Sequence, residues 1–197
     1  MESVSSLDSD CPALAAAAAE GNLDEVERLL RLGASADSLD EECWKHALTV
    51  ACGNGHIDVA RTLLRHGANP NVGLNYECYP DPDDYDGGDA PNPLIEALEN
   101  DHYDIARILL DNDTPANPDT RSRHDQTPLN VACSKGNLEF VQLLLDRGAC
   151  VDGVEYDTTR YYDEQDDGPD TPLICACSFG HEHIVDVLLA RGADPHK

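Results

Sequence analysis

Positive charge is scarce in this 197-residue chain: 13 Lys and Arg stand against 39 Asp and Glu, for a formal charge of −26. Like charges at that density repel nucleic acid and anionic membranes, which argues against direct DNA, RNA or lipid binding. A basic protein or peptide would instead be steered inward by a field that salt weakens. Long apolar runs are missing as well. None approaches the roughly 18 residues needed to cross a bilayer, and the opening MESVSSLDSD has neither a basic nor an apolar leader segment. These features point to a cytoplasmic or nuclear chain. Cysteine is present eight times, but at this length that is below the density of a disulfide scaffold. One contrary sign, the sequon Asn112-Asp113-Thr114, is a triplet that arises often by chance and matters only in a secreted protein.

Catalytic signatures are absent too. The sequence has no Gly-rich phosphate loop and no nucleophile elbow. Cys177 and His181 lie one helical turn apart and could be drawn as nucleophile and base, yet such pairs occur by accident in helices rich in these residues. The expectation is a non-catalytic chain without a cofactor, and a small-molecule ligand is disfavoured.

What the chain does have is an internal period. Gln126–Asp152, QTPLNVACSKGNLEFVQLLLDRGACVD, and Asp170–Asp194, DTPLICACSFGHEHIVDVLLARGAD, repeat the same letters at the same offsets. Earlier copies are Pro12–Asp37 and His46–Asn71, and a weaker one is Asn92–Asn117. In one unit, Thr127 is a good N-cap and Pro128 a good first helical residue, because its missing N–H would be unpaired there anyway. Gly136 supplies a left-handed stop, and Leu138, Val141, Leu144 and Leu145 form an apolar stripe on a second helix that Gly148 ends. Two short helices cannot hide that stripe alone, so each unit is stable only when stacked on its copies.

This pattern resembles the ankyrin repeat, a unit of about 33 residues in which a β-turn precedes two antiparallel helices. The motif TPL stands intact at Thr127-Pro128-Leu129 and Thr171-Pro172-Leu173, and Leu-Leu-x-x-Gly-Ala closes four copies, beginning at Leu29, Leu63, Leu144 and Leu188. The resemblance covers about Pro12 to Pro195 and implies an all-α solenoid of helix-turn-helix units with hairpin fingers. The expected organisation is an N-terminal tail, 1–11, and a single domain, 12–197. Its repeats are approximately 12–43, 44–75, 91–124, 125–153 and 170–197, with acidic insertions at approximately 76–90 and 154–169. Cys52, Cys133 and Cys177 share one repeat offset; stacked helices are too far apart to bridge them, so all three are expected to be buried thiols.

Three departures stand out. In the third copy Asp101 replaces the mid-repeat Gly and Asp113 the closing one, so this repeat is expected to be the least stable, through drift or through a distorted turn. The last copy ends on an interior-looking helix carrying Ile184, Val187 and Leu188, as if cut from a longer array or covered by a partner. Thirdly, the mid-repeat positions 21, 55, 101, 136 and 180 are separated by 34, 46, 35 and 44 residues, so two fingers carry about a dozen extra residues each.

Those two fingers hold Tyr76, Tyr79 and Tyr85, and Tyr156, Tyr161 and Tyr162, six of the seven tyrosines. Around them stand Glu77, Asp81, Asp83, Asp84, Asp86 and Asp89, and Glu155, Asp157, Asp163, Glu164, Asp166 and Asp167. Tyrosine brings rigid interface area and a ring face that attracts Arg and Lys; carboxylates add charge-assisted bonds to guanidinium. Charge alone would keep a loop soluble without the tyrosines. The resemblance to ankyrin proteins independently implies binding through finger tips and the groove of the inner helices. Near that groove Phe179 would be an apolar anchor, or would pack against a further repeat, and Trp44 would be an anchor or lie half-buried under the first finger. DPDDYDGGD fails the EF-hand pattern, since counting from Asp81 puts Tyr85 fifth and Asp86 sixth. Cys175, Cys177, His181 and His183 do not form a zinc motif either, as the repeat already accounts for Cys177 and His181.

The sequence therefore reads as a protein-binding module for a partner with a basic segment. The rival readings are an acidic mimic of nucleic acid or a cation-responsive regulator, and a scaffold that uses the groove alone.

Overall fold

The structure, a computed structural model, describes residues 11–37, 39–40, 45–72, 92–122, 126–154 and 170–197. It divides into two compact units, Met1–Ala116 and Asn117–Lys197. Among the described residues there are ten short helices, consistent with the all-α repeat architecture, and one two-residue hairpin.

The first unit contains three helix pairs: α1 (Cys11–Ala19) with α2 (Leu23–Arg31), α3 (Ala47–Gly53) with α4 (Ile57–Arg65), and α5 (Pro93–Glu99) with α6 (Tyr103–Asp111). Strands β1 (Leu39–Asp40) and β2 (Lys45–His46) pair antiparallel in the finger before α3. Inner helices stack on inner helices, α1 on α3 on α5, and the outer helices follow in the same order. The stack buries Leu14, Leu48, Leu63, Leu94, Leu98 and Leu109 essentially completely. At about 1.5–3 kcal/mol for each such side chain, this stripe is the dominant stabilising contribution.

The second unit contains two pairs, α7 (Pro128–Ser134) with α8 (Leu138–Asp146) and α9 (Pro172–Ser178) with α10 (Glu182–Ala190), with α7 stacked on α9. Its local chemistry follows the sequence closely. Thr127 caps α7, its Oγ1 accepting from the Asn130 N–H at 3.3 Å, and Pro128 opens the helix. Asn137 caps α8 by accepting from Phe140 N–H at 3.0 Å. Gly136 takes φ +71°, which lets the chain reverse between the two helices.

Within each unit, lateral bonds tie a repeat to the one before it. In the first unit His56 Nε2 lies 3.0 Å from the Ala19 carbonyl and His102 Nε2 3.1 Å from that of Gly53. In the second unit His181 Nε2 lies 3.1 Å from the Ser134 carbonyl. The imidazoles rest where Gly21, Gly55 and Gly136 lack a side chain: a Cβ on Gly136 would stand 2.5 Å from the His181 ring. The fingers repeat the device, with Asp37 accepting from Asn69 N–H at 2.6 Å, Asp119 from Cys150 N–H at 2.8 Å and Asp152 from Asp194 N–H at 2.7 Å.

Two expectations need correction. Asp101 does adopt the left-handed backbone, φ 63°, and its carboxylate accepts from the Tyr103 hydroxyl at 2.8 Å. Asp113 does not: Asp101 is the one non-glycine residue with positive φ among the described residues. Helix α6 ends instead at an extended Asn112, φ −67° and ψ 160°. The reason is length. Elsewhere an alanine N–H returns to a leucine carbonyl five residues back, as in Ala68 to Leu63, whereas here Ala116 returns to Leu109, seven back, at 2.9 Å. Two extra residues make the turn, so no left-handed residue is needed at 113.

The second correction concerns the thiols. Cys52 and Cys133 are fully buried, and burial pushes both thiols far above the ordinary range. Cys177, at the same repeat offset, is exposed. Within the second unit no later helix covers the face of α9 on which it lies.

Candidate partner-binding surface

Of the residues singled out for partner binding, Phe179 is the one that falls among the described residues. Trp44, Tyr76, Tyr79, Asp83, Asp84, Tyr85, Asp86, Tyr156, Tyr161, Tyr162, Asp163, Glu164, Asp166 and Asp167 lie outside them. The described chain leads into and out of both insertions, at Val72 and Asn92 and at Val154 and Asp170. Asn92 closes the base of the first: its Nδ2 donates to the Val72 carbonyl at 3.1 Å while its Oδ1 caps α5.

Phe179 is the C-cap of α9 and is 63% exposed, the highest exposure of any large apolar side chain described. Its ring stacks beside that of His181, with centroids 6.4 Å apart and planes 12° from parallel. Because His181 Nε2 is held by the Ser134 carbonyl, the imidazole is fixed and supports the phenyl ring from one side. An open cavity of about 320 Å³ is lined by Leu138, Ile184, His181, Glu182 and His183 together with Gly136 and Gly180.

A second apolar area lies on the far side of α9 and α10, where Ile174 is 40% and Leu189 45% exposed. The equivalent positions in earlier repeats, Thr49 and Asn130 for Ile174, and Leu64 for Leu189, are all buried. Of the three residues that gave the last helix its interior look, Ile184 and Leu188 are buried and Val187 is half-buried; the exposed apolar residues are Ile174 and Leu189. Reading the repeat offset of Leu189 against that of Leu64 would have found it.

Sequence reasoning also missed Asn130. It is buried between α7 and α9, where its Oδ1 accepts from the Thr127 hydroxyl and its Nδ2 donates to the Asp170 carbonyl and faces Cys175 Sγ at 3.7 Å. Its role is to fix the stacking of the two repeats. Among the described residues no group of three or more His, Cys, Asp or Glu is placed to hold a metal, and no helix is long and apolar enough to cross a membrane.

A family model described as "Ankyrin repeats (3 copies)" matches residues 3–74, 74–155 and 116–197, together nearly the entire chain. The chain belongs to the ankyrin-repeat family. An ankyrin repeat protein of Rickettsia felis is 30% identical over 137 residues, 70% of this chain and 41% of that protein. The Caenorhabditis elegans ankyrin repeat and KH domain-containing protein mask-1 is 31% identical over 133 residues, 68% of this chain and 4% of its own. The human ankyrin repeat and KH domain-containing protein 1 is 33% identical over 107 residues, 54% of this chain and 4% of its own. The chain thus spans well under half the length of these curated relatives. Ankyrin repeats generally mediate protein–protein interaction.

Proposed function

We propose that this ankyrin chain is a non-catalytic binding module that receives a basic segment of a protein partner through its two acidic, tyrosine-rich fingers and the groove near Phe179. One observation carries the reading. Six of seven tyrosines are confined to two insertions that also hold twelve of the carboxylates, with a single Arg160 between them. A solvated spacer needs the charge and not the phenols, whereas a surface for Arg and Lys uses both. A reducing cytoplasmic or nuclear setting fits the buried free thiols Cys52 and Cys133.

The test replaces Tyr76, Tyr79, Tyr85, Tyr156, Tyr161 and Tyr162 together by Ala. Partner capture is lost while thermal unfolding stays nearly unchanged. Capture that survives this change but fails when the finger aspartates become Asn supports mimicry of nucleic acid instead. Capture that survives both leaves the groove as the binding surface.

A further inference from the structure

The turn of repeat five reverses a polarity that the other four keep. At the tip, Glu20, Asn54, Asn100 and Lys135 are polar and exposed; the fifth residue of the series is Phe179. Three positions on, where the outer helix begins, Leu23, Ile57, Tyr103 and Leu138 are half-buried; the fifth is Glu182, which is exposed. The next position is acidic in four repeats, Asp24, Asp58, Asp104 and Glu139, and is the exposed His183 in the fifth. Thus an aromatic ring stands where the other repeats are polar, and a carboxylate stands where they are half-buried and apolar or aromatic. The ring lies nearly parallel to the His181 imidazole and remains largely exposed.

From this arrangement we propose that the α9–α10 turn is an arginine-selective pocket. A partner guanidinium stacks on the exposed ring of Phe179 and is held by the carboxylate of Glu182, three residues on across the same turn. The inference rests on the basic-partner reading above and names where that partner is anchored and by which residue type. Charge complementarity selects the occupant: in a chain of −26, the exposed aromatic beside a carboxylate matches a cation with a flat face. Guanidinium is planar, weakly hydrated and stacks on rings, whereas ammonium is a compact and strongly hydrated point charge. The departure of the acid at position 183 matters as well, because it leaves Glu182 as the one carboxylate in the first turn of α10. Glu182 lines the neighbouring cavity together with His181 and His183. An aliphatic side chain would gain the ring and waste the carboxylate; a lysine would gain the carboxylate and little from the ring.

The experiment uses the full chain with two fluorescent peptides of equal charge, octa-arginine and octa-lysine, followed by anisotropy at fixed ionic strength. The intact chain prefers octa-arginine. In Phe179→Ala and Phe179→Leu that preference shrinks by about three-fold, the size of an exposed cation–π contact, and Phe179→Trp keeps or raises it. Glu182→Gln also reduces it. Phe179 is exposed, so these variants keep the unfolding midpoint of the parent. If both Phe179 variants bind the two peptides as the parent does, the pocket is wrong, and salt-sensitive binding of both peptides still upholds the basic-partner reading. If neither peptide binds at low salt, both readings fall.

Discussion

His181 reaches back one repeat to the Ser134 carbonyl, Nε2 to oxygen 3.1 Å, and its ring occupies the space left by Gly136. A carbonyl can only accept, so Nε2 carries the proton. The pair explains why a glycine and a histidine recur at fixed offsets: the glycine supplies both the left-handed turn and the room for the next repeat's ring.

Gly136→Ala and Gly148→Ala therefore separate the two roles. Both positions have positive φ, 71° and 90°, so each substitution costs about 1–2 kcal/mol in backbone strain. A Cβ at Gly148 meets nothing within 4 Å, whereas at Gly136 it displaces His181. Urea unfolding is expected to place Gly136→Ala lower by about a further 1 kcal/mol, one hydrogen bond. Equal midpoints would show that the imidazole contributes nothing.

Burial predicts a second contrast. Leu144 is 0% exposed and Leu189 45%. Leu144→Ala is expected to cost about 2–5 kcal/mol, and Leu189→Ala roughly 1 kcal/mol, since nearly half of its area stays in water. Similar losses for the two would mean that the end face of α10 is covered in solution.

Thr49 is 1% exposed, and its Oγ1 has no hydrogen-bond partner, alone among the described buried side-chain N and O atoms. Replacing it by the isosteric Val removes an unsatisfied hydroxyl, so Thr49→Val is expected to raise stability by about 1 kcal/mol. A loss of stability, read as a lower urea midpoint, would reveal a partner for the hydroxyl in solution.

Thiol labelling read by mass spectrometry tests the cysteine assignments. Cys177 labels in the folded chain, and Cys52 and Cys133 only on unfolding. Cys150 is exposed, but the Asp119 charge beside it holds its thiol above the usual range. Thiolate therefore forms there only as pH rises beyond that range, and Cys150 is expected to label slowly at neutral pH and to accelerate at more alkaline pH, while Asp119→Asn brings the acceleration to lower pH. Rapid labelling of Cys133 in the native state would contradict its placement between α7 and α9.

Much of the fold was legible in the sequence because ankyrin repeats are built from local signals. Thr127, Pro128 and Gly136 act within one turn of chain, and the Leu144 stripe announces its own face. What escaped were features set by the neighbouring repeat. Asn130 reads as a polar residue in a helix until Asp170 is placed beside it. Cys177 reads as buried because Cys52 and Cys133 are, and only the stacking order shows otherwise. The loop after α6 misled in a different way: Asp113 aligns with a closing glycine by letter, but two added residues change the backbone path. Phe179 was legible as a departure, because an aromatic stands at an offset that is polar in the other repeats. That Glu182 departs from its offset as well became visible only when exposure was compared across five repeats.

The most direct measurement of the central claim is capture of partner by the full chain at low and at high salt, repeated with both insertions shortened to ordinary hairpins. A basic protein that is retained at low salt, released at high salt and lost from the shortened chain is the predicted result. A partner held equally well by the shortened chain, or one whose retention does not depend on salt, would contradict the account.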